Sequence, residues 1–161
     1  MRKATVEHKS HSFGSKNRDF DESNRKNQKT GDLGERLVFD YEKSRLEAAG
    51  IVDIDKKLIR TSENPEYGNA YPCDILSVDV ETGDMVYIEV KTTRYNAETP
   101  FFISEEERAF SAINAAAYRL YRVFDAIRTK EPKFFETEGY VGDNFTLTSD
   151  RYIATREKDE E

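Results

Sequence analysis

The chain has 161 residues, of which 35% are charged and 37% hydrophobic, and its formal net charge is −7. That length suits one domain with a real core rather than two, and no apolar run approaches the roughly 20 residues of a membrane-spanning helix. The acidic sum argues against nucleic-acid binding by bulk charge, because such binding exchanges phosphate counterions for Lys and Arg.

The charge is unevenly placed. Residues 1–30 hold eight Lys and Arg (Arg2, Lys3, Lys9, Lys16, Arg18, Arg25, Lys26, Lys29) against four acids, a net +4 that leaves −11 for the remainder. This stretch reads as a basic, flexible arm ahead of an acidic domain, and a disordered linker explains it better than a dedicated DNA-binding arm does. Its opening, MRKATVEHKSHSFGSKNRDF, lacks the apolar centre of a secretory signal, and the lone Cys73 cannot form an internal disulfide. A reducing, cytoplasmic setting is therefore expected. His8 and His11 lie in the arm without a Cys or carboxylate cluster, which makes a metal site there improbable.

Ordered structure is expected from residue 31. DLGERLVFDYEKSRLEAAG offers Asp32 as N-cap, Glu35 as its capping-box partner, apolar Leu37, Val38 and Tyr41, and Gly50 just past the end of a first helix. IVDIDKKLIRTS (51–62) reads as a strand, with Lys56 and Lys57 on a solvated face or turn, followed by the turn-rich ENPEYGNAYP. CDILSVDV (73–80) and MVYIEVKTT (85–93) read as antiparallel strands across a turn at ETGD. PFFIS (100–104) reads as a short strand entering a second helix, where Ser104 and Glu107 form a capping box and Ala109, Ile113 and Ala116 supply the inward stripe. AYRLYRVFDAI (117–127) reads as another strand, and FTLTSDRYIATRE (145–157) as the closing one, with an acidic tail at 158–161. The order predicts an α/β (α+β) domain over 31–157, a central mixed sheet flanked by helices.

One strand carries an unusual face. In VYIEVKTT, Val86, Ile88 and Val90 alternate with Tyr87, Glu89 and Lys91, so period-two geometry puts both charges on one side. Counting outward from the turn at 81–84 brings Asp74 toward Glu89 and Lys91. Two carboxylates and an ammonium are costly to bury without compensation, and a divalent cation would supply it. Mg²⁺ takes one or two carboxylates and keeps waters, so Asp74 and Glu89 would be direct ligands, with the Val90 carbonyl as a third. Lys91 would then position the attacking water or stabilise charge on a phosphate.

Asp74, followed after fourteen residues by Glu89-Val90-Lys91, resembles the PD-(D/E)XK nuclease signature, with PCD standing for its proline-aspartate pair. The order GDLGERLV, CDILSVD, YIEVKTT, FFISEEE, YRLYRVF is similar to the restriction-endonuclease-like domain at the C-terminus of the NO VEIN protein, a family with bacterial homologues associated with restriction and phage defence. The resemblance covers roughly residues 31–127. It implies Asp74 and Glu89 as metal ligands, Lys91 as the catalytic lysine, Glu35 as a further acid facing the site, Mg²⁺ or Mn²⁺ as cofactor, and DNA as substrate. Cys73 departs from the family pattern, and its side chain is expected to face away from Asp74.

Simpler readings stand beside these. Glu89 and Lys91 also suit a solvated ion-pairing face, and the two capping boxes account for Glu35 and Glu107 without chemistry. Arg122 is expected over an aromatic surface of an edge strand, and Ser104 and Glu105 could approach an anion at the helix start. No Ser-His-Asp set exists with both histidines in the arm, and GDLGE lacks the Lys-Ser/Thr of a phosphate-binding loop. The expected function is a metal-dependent endonuclease acting alone, as a homodimer, or with a motor or recognition subunit. The alternative is a non-catalytic nuclease-like module for DNA binding or protein docking.

Overall fold

A computed structural model describes residues 13–68, 70–126 and 133–149. Five strands, β1 (Ile59–Arg60), β2 (Ile75–Val78), β3 (Met85–Thr92), β4 (Tyr118–Phe124) and β5 (Lys133–Glu138), form one mixed sheet in the order β1-β2-β3-β4-β5. Only the β3–β4 pair is parallel. Its crossover carries α3 (Glu105–Ile113), as a parallel connection requires. Helix α1 (Phe13–Ala48) packs on the β2–β3 region, and α2 (Ile54–Lys57) and α4 (Val141–Asn144) are single turns. This is the expected α+β architecture. No helix among the described residues is long and apolar enough to cross a membrane.

α1 is the largest departure from expectation. It begins at Phe13 rather than Asp32, so residue 31 lies inside it and Asp32 caps nothing. Asp32 and Glu35 both turn instead to Arg60 of β1, at 2.6 and 2.8 Å. Every fourth residue from Thr30 faces the sheet: Thr30, Gly34, Val38, Glu42 and Leu46 are all buried. The stripe has helical spacing but mixed polarity. Glu42 is sealed by Arg45 (2.7 Å), Ser77 (2.7 Å) and the Tyr121 hydroxyl (2.8 Å). Burial opposes its charge, but those hydrogen bonds outweigh it and hold the Glu42 carboxyl below the usual range. The helix ends as expected, with Gly50 at φ 73° and the Ile51 N–H donating back to Leu46.

The expected hairpin is present, with Ile75 opposite Ile88 and Ser77 opposite Val86. Gly83 adopts φ 78° in the turn, and Asp79 accepts the N–H groups of Glu81 and Thr82. Val86, Ile88 and Val90 join Val38 and Leu46 in the core under α1, while Tyr87 packs with Phe110, Tyr118 and Leu120 on the opposite face.

Other segments differ. The strand expected over 51–62 is reduced to β1, with α2 before it and a 3₁₀ turn after it. PFFIS forms no strand; Phe101 instead lies beneath the Arg122 guanidinium, 5.1 Å away, and against Phe145. Arg122 thus meets the expected aromatic surface, but on an interior strand. In α3 the capping box is formed as predicted, yet Ile113 is exposed and Phe110 and Ser111 face inward. Among the described residues the last strand is β5; of the strand expected over 145–157, residues 145–149 are not strand, and 150–157 lie outside the described residues.

α1 crosses β3 closely at Gly34, where an added Cβ would overlap the Thr92 side chain. Elsewhere Gly→Ala in a helix stabilises by about 1 kcal/mol. Here Gly34→Ala is expected to lower stability by about 1–3 kcal/mol through overpacking. Urea unfolding of Gly34→Ala, Thr92→Ala and the double variant tests this; a Gly34→Ala protein as stable as wild type, or no relief in the double variant, contradicts the contact.

Candidate active site

The site lies along the second half of β3, where Glu89 and Lys91 stand, between the residue that precedes β2 and the start of α3. The hairpin register places Asp74, one residue before β2, opposite Glu89. The Asp74 N–H donates to the Ile88 carbonyl (3.0 Å), and the Asp74 side chain accepts the Val90 N–H at 2.7 Å. Asp74 is therefore held at both backbone and carboxylate. Because paired residues in a sheet exchange both bonds with one neighbour, the Val90 carbonyl projects toward this same edge.

Glu89 is 3% exposed, which overturns the solvated-face reading. The Lys91 ammonium lies 2.8 Å from Glu89 Oε1 and 2.9 Å from Glu107 Oε2. That same Glu107 oxygen accepts the Ser104 N–H at 2.9 Å. The capping box explains Glu107 only in part, because its first-turn position on α3 also delivers a carboxylate to the site. Sequence reasoning missed this second role. Its available signal was that α3 follows the EVK strand and must begin near the strand's end.

Electrostatics separate these groups. Burial first, then the charge of Glu35, pushes the Asp74 pKa up to about 7, against the Val90 hydrogen bond and Lys91. Burial and then the charge of Asp74 raise Glu89 well above an ordinary glutamate. Burial disfavours the Lys91 ammonium, but Glu89 and Glu107 outweigh it and raise its pKa, so Lys91 stays cationic. Negative charge in the site thus exceeds what Lys91 offsets.

Glu35 acts on Asp74 from α1, held by two hydrogen bonds from Arg60 (2.8 and 3.1 Å) rather than by a capping box. The buried Cys73 thiol lies against the Ile75 carbonyl (3.7 Å), and its pKa is raised to about 12, by burial and then by the charges of Glu89 and Asp74. Among the described residues Arg122 forms no ion pair with these carboxylates; it donates to the carbonyls of Lys91 (2.9 Å) and Thr99 (2.8 Å) and fixes the end of β3. Glu105 is taken up by Arg108.

Among the described residues, no group of three or more His, Cys, Asp or Glu is arranged to hold a metal ion. Mg²⁺ does not require three, since one or two carboxylates and waters suffice. Two observations fit a hydrated divalent cation. Asp74 and Glu89 repel each other with too little positive charge nearby, and the fully buried Tyr118 hydroxyl, within the field of Glu89, Glu107 and Asp74, has no hydrogen-bond partner among the described residues.

A carboxyl whose pKa is higher folded than unfolded binds its proton more tightly in the folded protein, so its contribution to stability is lost as pH rises. For Asp74 that window runs from 3.8 to about 7. In EDTA, Asp74→Asn is expected to melt several degrees above wild type at pH 8, the two converging near pH 4. Thermal melts across this range check it; a pH-independent difference excludes repulsion as the cause.

No curated protein and no solved structure matches the chain. The family model "Protein NO VEIN, C-terminal" matches residues 34–137, from the α1–β3 crossing through α3 to β5, and includes Asp74, Glu89, Lys91 and Glu107. The chain belongs to the NO VEIN C-terminal family.

Proposed function

We propose that the chain is a metal-dependent endonuclease that hydrolyses DNA phosphodiester bonds with Mg²⁺, or Mn²⁺ in its place. The observation that carries this reading is the meeting of Asp74, Glu89 and Lys91 at one sheet end, with both carboxylates destabilised as anions. Asp74, Glu89 and the Val90 carbonyl would hold the ion, which when bound acidifies a water and neutralises charge on the phosphate. Lys91, kept protonated by Glu89 and Glu107, is unsuited to act as a base. Its ammonium opposes charge developing on the phosphate and orients the attacking water. Glu35 adds negative potential beside Asp74 and strengthens the pull on a cation. The resemblance to PD-(D/E)XK nucleases supports DNA as substrate and a cytoplasmic role in restriction or phage defence, with a second copy or a motor or recognition subunit supplying affinity that the acidic domain lacks.

A second reading, a non-catalytic nuclease-like module for DNA binding or protein docking, draws on one observation. The Lys91 ammonium is already bridged between two carboxylates, a closed arrangement that is stable without substrate.

With Mg²⁺ or Mn²⁺ the protein is expected to nick supercoiled DNA, and Asp74→Ala or Lys91→Ala to slow this by about 100-fold or more. Gel assays on supercoiled and linear DNA measure it. Activity that survives both substitutions rejects the assignment. Absence of cleavage together with absence of metal-linked thermal stabilisation favours the docking module.

A further inference from the structure

Four cationic side chains, Lys26, Lys29, Arg36 and Arg94, line an open groove of about 520 Å³ between α1 and the chain leaving β3. Its one acid, Asp32, is already paired with Arg60 at 2.6 Å and Arg36 at 3.2 Å. Lys29, Arg36 and Arg94 by themselves outnumber that acid, so the groove presents excess positive charge on a chain whose net charge is −7. Such a concentration focuses a field that attracts polyanions.

Its location links it to the carboxylates. Thr30 and Gly34 are one helical turn apart on the buried face of α1; Gly34 crosses β3 at Thr92, and Arg94, two residues on, donates to the Thr30 hydroxyl at 3.3 Å. The groove thus adjoins the end of the strand that carries Glu89 and Lys91. Thr30 and Glu35 are separated by about 7.5 Å of helical rise, which matches about two nucleotides of a duplex strand at 3.4 Å each. Tyr95, the residue after Arg94 in the chain, is 63% exposed on a pinned backbone: its N–H donates to Thr93 Oγ1 and its carbonyl accepts the Asp125 N–H. An exposed aromatic ring on an anchored backbone, next in sequence to a groove arginine, suits stacking of an unpaired base.

We propose that the groove of Lys29, Arg36 and Arg94, with Lys26 at its far end, binds the phosphodiester backbone of a nucleic-acid strand leading to Asp74 and Glu89, and that Tyr95 stacks on one of its unpaired bases. The direction of the strand rests on the nuclease reading; the binding surface does not.

The test is fluorescence anisotropy of the full chain with labelled single-stranded and duplex DNA in Ca²⁺, over a range of KCl. Lys29→Gln/Arg94→Gln is expected to weaken single-strand binding roughly tenfold at 0.1 M salt and to lower the slope of log K against log salt by about 1.4, at about 0.7 per phosphate contact. Lys43→Gln/Lys56→Gln makes the same change in net charge at exposed positions away from the groove and should change affinity less than about twofold. Tyr95→Ala should weaken single-strand binding about fivefold or more and spare the duplex. Equal melting temperatures of the two charge-altered pairs establish that both are folded. No binding by wild type, no loss in the groove pair, or an equal loss in the control pair overturns the proposal; an unaffected Tyr95→Ala overturns its stacking part. Cleavage separates this from the nuclease reading. If no protein cleaves yet the groove pair alone loses DNA, the groove stands and the nuclease falls; if wild type cleaves and the groove pair binds and cleaves equally well, the reverse holds.

Discussion

Two carboxylates are placed opposite each other by the register of one hairpin, and the end of the sheet is organised around their repulsion. Unit charges a few Å apart repel by about 4 kcal/mol at an effective dielectric of 20, a large share of the roughly 5–15 kcal/mol that holds a domain together. The surroundings relieve this only in part. The Val90 N–H steadies Asp74, and Lys91 sits between Glu89 and Glu107. Arg60 draws Glu35 to itself but shares its charge with Asp32 and Glu63. That unrelieved remainder is what supports the proposed cation site.

The other face of the same sheet supplies the contrast. Glu42 is as buried as Glu89, and desolvation is the largest influence on both. Glu42 nevertheless ends with a lowered pKa because a bidentate Arg45, Ser77 and Tyr121 satisfy its oxygens. Glu89 has one ammonium, itself shared, and a second carboxylate opposite. Burial therefore does not by itself decide the direction of a glutamate's pKa shift; the completeness of its hydrogen bonding does.

Much of this was legible in the chain where signals were local. The β2–β3 hairpin, the Ser104–Glu107 box and the Gly50 terminus each rest on a few adjacent residues and formed as read. The start of α1 was misplaced because Asp32 and Glu35 satisfy the spacing of a capping box while serving Arg60, twenty-five and more residues away. PFFIS has strand-like composition, but its aromatic ring serves Arg122 and Phe145 instead of a ladder. KFFETE went unread as a strand because its pairing along β4 is a tertiary fact. Asp74, Glu89 and Lys91 were found because alternation and hairpin counting suffice to place them, whereas Glu107 was set aside because a local explanation was already complete.

Glu107 carries two duties on one oxygen, closing the first turn of α3 through Ser104 and gripping Lys91. On the proposed nuclease function, selection on helix integrity and selection on chemistry would fall on the same codon. In a lineage without that activity, Lys91 would be free to drift while Glu107 was retained by the helix it begins, so the lysine rather than the glutamate would be the informative position to compare across the family.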